Sequence, residues 1–251
     1  MVLDPLEMRH SLGRNLTHGM LDHLGKQIVI GAFENTPFPT EAELSKQLGV
    51  SRSVTREAVK MLTAKGLLSA RPRQGTLVQP AANWNLFDAD VLRWLLERKF
   101  SIELLSQFNQ LRSAIEPAAA ALAAENADDE GFRAIDAGFA RMVAAEAGED
   151  DTLSADIAFH LAILQASANP FFAQFRDVVA TALRTSIRFT NRIKGRTADL
   201  DAHKAVKTAI EARDATAARA AMAMIIGDVN DLITQHSDVS TDPGQDTQPV
   251  A

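Results

Sequence analysis

Asp156 and His160 stand four residues apart in the stretch Asp156-Ile157-Ala158-Phe159-His160. On a helix, that spacing projects both side chains from one face. A carboxylate and an imidazole so placed can hold a divalent metal such as zinc, nickel or manganese. His203 lies on a later helical stretch and could close the site across a bundle. The same residues raise a second reading, a metal-dependent hydrolase using Asp156, His160 and His203. Against it, the chain has no His-Glu-x-x-His motif and no evident general base, and Glu116 reads as an ordinary helix residue.

A different chemistry is written at Ser51-Arg52-Ser53-Val54-Thr55-Arg56. Arg52 and Arg56 share a helical face, and an arginine can fork onto guanine O6 and N7 or onto phosphate. Ser51, Ser53 and Thr55 add hydroxyls at the helix start, where free N–H groups favour phosphate oxygens. Arg71, Arg73 and Gly75 surround a turn that can reach a neighbouring groove or the backbone. The expected DNA contacts are therefore Ser51, Arg52, Ser53, Thr55, Arg56, Arg71, Arg73 and Gly75.

The elements that must carry these residues follow from local signals. Leu21, Leu24, Ile28 and Val29 recur at helical spacing in a helix from about Leu16 to Ala32. Thr40 with Glu43 forms a capping-box pattern, opening a helix from Glu41 to Leu48 that stops at Gly49. Ser51 caps the next helix, which runs to about Lys65, with Val54, Ala58, Val59 and Leu62 as its buried stripe. Two short helices around a glycine-containing turn are the helix-turn-helix pattern. Leu67 to Ala70 and Gly75 to Val78 then read as two short strands, a wing. Beyond Asn85, strand signals vanish. Breaks near Ser101, Ala127-Asp128, Gly148-Glu149, Asn169-Pro170, Gly195 to Thr197 and Asp214 delimit six to seven helices. Pro117 predicts a kink or a nearby bend in its helix, and Pro170 suits a first turn.

The fold expectation is mainly α: an N-terminal winged helix-turn-helix and a C-terminal all-helical bundle. The expected boundaries are 1–80 for the DNA-binding domain, 81–86 for a linker, 87–236 for the helical domain and 237–251 for a disordered tail. Trp84 and Trp94 bracket the linker and the helix after it, and read as packing of the junction. Charge agrees with this division. Residues 1–80 carry a net +3 and the rest −9, within a total of −6 over 251 residues. A basic reading module on an acidic body suits nucleic-acid binding at one end only. Cysteine is absent, which excludes disulfides and thiolate metal sites. There is no signal-peptide pattern and no apolar run of membrane-spanning length, so the expectation is a cytoplasmic protein without a membrane partner. An interaction scaffold with an incidental helix-turn-helix is the remaining alternative.

Pro39-Thr40-Glu41-Ala42-Glu43-Leu44, Leu48-Gly49-Val50-Ser51-Arg52, Val54-Thr55-Arg56-Glu57-Ala58 and Lys65-Gly66-Leu67 resemble the DNA-binding domain of the GntR superfamily of bacterial transcription regulators. The helical remainder resembles the FadR-type (FCD) effector domain at Leu111 to Pro117, Asp156 to His160, Asn169-Pro170 and His203 to Met222. The resemblance spans nearly the whole chain. It implies a homodimer on a palindromic operator, acting as a repressor rather than an enzyme. Leu24 to Val29 and Asn83 to Trp94 resemble the branch that represses galactonate catabolism, which implies a sugar-acid effector. Another organic acid is the alternative. Many relatives carry a basic operator-reading residue where this chain has Ala42, which implies a different operator. The family's Asp and His ligands match Asp156, His160 and His203, but its third histidine falls on Ile225, which cannot ligate. Two outcomes stay open. Either three ligands hold a metal with an open position that a carboxylate and its adjacent hydroxyl could complete, or the pocket binds effector without metal. In the second, Asp156 and the histidines would hydrogen-bond the hydroxyls and Arg112 would pair with the effector carboxylate, with Arg184, Arg188 and Asn191 as further candidates on one polar stripe.

Overall fold

Helix α1 (Leu16–Val29) is amphipathic and buries Met20, Leu21, Leu24, Ile28 and Val29, as its apolar spacing requires. The computed structural model of the chain describes residues 15–71, 75–98, 101–194 and 199–239; within these, the side chains of 188, 190–194 and 236–239 are left aside. Arg73 and the expected tail from 240 onward lie outside the described residues. The chain divides into two compact units that meet in sequence between Phe100 and Ser101.

In the first unit, α2 (Glu41–Leu48) begins with the capping box read from the sequence. The Thr40 hydroxyl accepts the Glu43 N–H at 3.3 Å, and the Glu43 carboxylate accepts the Thr40 N–H at 2.8 Å. The helix stops at Gly49 in the left-handed conformation. Helix α3 (Arg52–Ala64) starts on Ser51, whose hydroxyl accepts the Val54 N–H. The wing is an antiparallel pair, β1 (Leu68–Arg71) and β2 (Gly75–Val78), with Leu68 opposite Val78 and Arg71 opposite Gly75.

The unit does not end at the wing. A 3₁₀ turn (Ala81–Asn83) leads to α4 (Ala89–Leu95), which packs on α1 rather than opening the second domain. This moves the boundary expected at residues 81–86 to Phe100. The physical reason is Trp94. Its indole is fully buried, its Nε1–H donates to Asp22 at 2.8 Å, and its ring covers Gly25. Arg93 and Lys26 also pair with Asp22, Lys26 reaches Glu97 at 3.2 Å, and Lys65 holds both Asp88 and Asp90 within 2.8 Å. Trp84 sits half-buried, with Nε1–H donated to the Gln79 carbonyl at 2.9 Å. Both tryptophans therefore pack within the first unit.

The second unit contains seven helices among the described residues: α5 (Ile102–Asn126), α6 (Asp129–Glu146), α7 (Thr152–Ala166), α8 (Pro170–Gln174), α9 (Arg176–Lys194), α10 (Leu200–Glu211) and α11 (Ala215–Val239). Ser101, Asp128, Asp151, Asn169 and Asp199 each cap the following helix with a side-chain oxygen. Pro170 opens α8, and α5 runs across Pro117 as one helix. Ala119, Ala120, Ala123 and Ala124 bring α5 close to its neighbours in a core shared with Phe159, Ile163, Val206, Ile210 and Met222. Helices α6 and α7 touch almost backbone to backbone: a Cβ at Gly138 would lie 2.8 Å from the Phe159 Cα. That contact sets the rotation of α7, and with it the direction of Asp156 and His160. No helix among the described residues is long and apolar enough to cross a membrane.

Gly25→Ala tests the α1–α4 junction. A methyl group there would meet Trp94 ring atoms at 2.3–2.5 Å. The indole must shift, at a cost of about 1–3 kcal/mol. The expected outcome is a lower melting temperature by circular dichroism, and an unchanged one contradicts the junction.

Candidate functional site

Asp156, His160 and His203 meet in the second unit as their spacing predicts. The α7 pair faces inward and α10 brings His203 against it; all three side chains are buried. His203 Nε2 lies 3.0 Å and His160 Nε2 3.4 Å from Asp156 Oδ1. Neither approach has hydrogen-bond geometry, so these three buried atoms have no hydrogen-bond partner. The imidazole planes stand nearly perpendicular, at 87°. Phe159 packs edge-on against both rings and walls the site with apolar surface.

The opposite nitrogen of each ring explains this orientation. His203 Nδ1 is 2.6 Å from the Asp199 carbonyl, the last acceptor before its own helix. His160 Nδ1 is hydrogen-bonded to Glu116 Oε2. Each Nδ1–H is therefore donated away from the site, which leaves a lone pair on each Nε2. Two such lone pairs and a carboxylate oxygen pointing at one another repel unless a cation sits among them. The three ligand atoms lie within 4.8 Å of one another, and this group could coordinate a divalent metal. Two nitrogens and one oxygen suit zinc, nickel or manganese, with positions left for other oxygen donors. Ile225 packs against the core and supplies no donor.

Glu116 is the member that the sequence reading leaves out. It is fully buried and bridges two partners: Arg112 Nε donates to Oε1 at 2.6 Å, and His160 takes Oε2. Burial pushes its carboxyl up, but the Arg112 and His160 charges outweigh burial and bring it down to about 2. Arg112 is buried as well, with Nη1 3.4 Å from Asn109 Oδ1. Burial likewise works to raise Asp156, yet the two imidazoles hold it well below the usual carboxylate range. Burial pulls the His160 imidazole down, while the Glu116 charge and the Asp156 carboxylate hold it up at about 9. Without a metal, a proton on His160 therefore relieves the crowded lone pairs. Of the further candidates, Arg184 is half-buried, and Arg188 and Asn191 lie on α9 with side chains outside the described residues.

In the first unit, Arg52, Ser53, Arg56 and Arg71 are exposed on the α3 start and the wing, with Ser51 as the cap and Gly75 opening β2. Arg56 Nε rests 3.5 Å from Glu41. Ala42 is exposed beside them. Thr55 is a correction: it is fully buried, and its hydroxyl lies between Ser45 Oγ at 2.8 Å and the Ser51 carbonyl at 3.2 Å. It fastens α3 to α2 and cannot reach DNA. Val54 is only half-buried, and Thr55 takes its place in the stripe with Ala58, Val59 and Leu62.

Comparison with known proteins agrees with both units. The profile of bacterial regulatory proteins of the gntR family matches residues 21–78, and the FCD domain profile matches residues 107–228. The galactonate operon transcriptional repressor of Escherichia coli K12 is 35% identical over 217 residues, covering 84% of this chain and 94% of the relative. This chain belongs to the GntR family and carries an FCD domain. The HTH-type transcriptional regulator YieP of the same organism is 35% identical over 208 residues, covering 82% and 90% of the two chains. A solved structure of Lar, which controls expression of the Listeria monocytogenes agr system, aligns with a TM-score of 0.60. At 17% identity, over 88% of this chain and 97% of Lar, that likeness shows the fold alone. The family is one of non-enzymatic transcription regulators, and the hydrolase reading is set aside on that ground. In this GntR regulator the FCD match spans the five buried ionisable residues among those described, Arg112, Glu116, Asp156, His160 and His203.

Metal uptake is expected to release a proton. With His160 held at about 9 it is protonated at pH 7, and the metal needs the Nε2 lone pair. Apparent affinity for zinc should therefore rise about tenfold per pH unit, levelling off near pH 9. The sign for folding is opposite. The raised value makes the protonated ring stabilise the metal-free fold fully below pH 6.5, a contribution lost as pH rises through about 9. Zinc titration by calorimetry in buffers of different ionisation heat checks the proton count. Release of no proton at pH 7 contradicts the site.

Proposed function

We propose that this GntR regulator is a homodimeric, cytoplasmic repressor of sugar-acid catabolic genes. It is released from a palindromic operator when a small carboxylate of the galactonate type binds in the helical domain. The observation that carries this reading is the set of buried atoms Asp156 Oδ1, His160 Nε2 and His203 Nε2, which crowd one another but have no hydrogen-bond partner. Buried polar atoms without partners are costly, so a pocket that keeps three of them is built for something that arrives from outside. A divalent metal bound there would supply Lewis acidity to oxygen donors of the ligand. A sugar acid offers a carboxylate and an adjacent hydroxyl, both hard oxygen donors, and the buried Arg112 guanidinium lies one Glu116 side chain away. The 35% identity to a galactonate operon repressor supports the same ligand class.

At the other end, Ser51, Arg52, Ser53, Arg56, Arg71, Arg73 and Gly75 would contact DNA. Arg52 and Arg56 are the base or phosphate readers, and the wing residues reach the neighbouring groove. Two recognition helices related by a two-fold axis would read a two-fold operator. Effector can lower DNA affinity only by binding more tightly to the arrangement that does not fit the operator.

The test separates the two ends. Fluorescence anisotropy on operator DNA should show wild-type protein released by galactonate. Asp156→Ala should bind the operator as tightly but stay bound at galactonate concentrations that free the wild type. Release of the variant at the same concentration would place the effector elsewhere.

A further inference from the structure

Glu116 holds Arg112 with one oxygen and His160 with the other, inside a cluster closed to solvent. We propose that Glu116 couples the metal to the effector and sets the effector's charge, so that the metal-loaded pocket selects a monocarboxylate over a dicarboxylate. The inference rests on the sugar-acid reading above and deepens it.

The buried groups carry opposing charges. Arg112 carries +1, and Glu116 and Asp156 carry −1 each. A metal needs both histidines neutral. With both histidines neutral the protein groups sum to −1, and a divalent ion brings the cluster to +1. Uncompensated charge in a buried site is costly, so the loaded pocket favours one negative charge from its ligand and the unloaded pocket none. A monocarboxylate brings the loaded cluster to zero, whereas a dicarboxylate overshoots. Metal and monocarboxylate therefore bind with positive coupling, and coupling between two ligands is reciprocal.

Geometry gives Glu116 a second part in the link. Arg112 Nε is taken by Glu116, and the only other acceptor on Arg112 among the described residues is Asn109 Oδ1 at Nη1, at a long 3.4 Å. The terminal guanidinium nitrogens are thus the part left for an incoming carboxylate, and Glu116 fixes the plane in which they lie. The same carboxylate fixes the His160 ring, so a ligand that shifts Arg112 strains the metal's nitrogen donor, and a well-seated one supports it. Arg112 and Glu116 stand one helical turn apart on α5, so neither can move independently of the other.

Calorimetry on the full-length protein tests this with zinc, galactonate and galactarate; galactarate has the same carbon chain with a second carboxylate. In the wild type, zinc should tighten galactonate binding by about tenfold or more over chelator-treated protein. Galactonate should tighten zinc by the same factor, and galactonate should outbind galactarate. In Glu116→Gln the loaded cluster becomes +2, so the preference should reverse towards galactarate, a change that a merely structural role would not produce. Uniform weakening of both acids with an unchanged ratio overturns the charge-setting role. Should the variant not fold, the wild type decides alone: equal galactonate affinity with and without zinc overturns the coupling while leaving the sugar-acid reading intact. Failure of both acids to bind the zinc-loaded wild type removes the sugar-acid reading and this proposal with it.

Discussion

Three acceptor atoms with nothing to accept are the constraint around which the helical unit is arranged. Asp156 Oδ1, His160 Nε2 and His203 Nε2 converge in a buried space, and each imidazole has already given its Nδ1 hydrogen away. Such an arrangement is unfavourable by itself and stable only because the surrounding fold imposes it. The Gly138–Phe159 contact sets the rotation of α7, and Glu116 holds His160 from behind. The Asp199 carbonyl turns His203 inward from the first turn of α10. A proton on His160 relieves the repulsion in one way and a divalent ion in another. On the proposed reading, a proton and a divalent ion would compete for this site, and the winner would change the charge that a ligand meets.

The site is also tied into the packing of the bundle. Asn109, buried on α5, donates through Nδ2 to the Ile226 carbonyl and to Asn230 Oδ1 on α11, while its Oδ1 faces Arg112. A change at Arg112 thus reaches the contact between the two longest helices by way of one amide side chain. In the first unit the corresponding device is the Asp22 carboxylate, which gathers Trp94, Arg93 and Lys26 and makes α4 part of the reading head. Both arrangements use a buried or half-buried polar residue to fix the rotation of one helix against another, something that apolar contacts alone specify less sharply.

Much of this was legible in the sequence because helix caps are local. Thr40 with Glu43, Ser51, Ser101, Asp128, Asn169 and the break at Asp214 each announce an element within four residues, and the structure places helix starts there. The α7 pair was legible for the same reason, since four residues is one helical turn. What was not legible depends on packing partners. Glu116 looks like any helix glutamate until α7 is laid against α5; the available hint was an Arg-Glu pair one turn apart, followed by a run of alanines. The α4 boundary is of this kind, because Val91, Leu92, Trp94 and Leu95 show that the helix must bury a face but not against what. Thr55 is different. It stands three, four and seven residues before Ala58, Val59 and Leu62, so the helical period places it in the stripe, while a hydroxyl near a helix start also fits a DNA contact.

The three converging atoms would ligate a metal through Nε2 of both histidines and a carboxylate oxygen of Asp156. Anomalous diffraction at the zinc edge, from crystals of the full-length protein grown with zinc, tests it directly. One peak per chain is expected, about 2.0–2.2 Å from each of those three atoms, with the His160 Nδ1 still bonded to Glu116. A peak bound through either Nδ1, or no peak among the three residues, would contradict it.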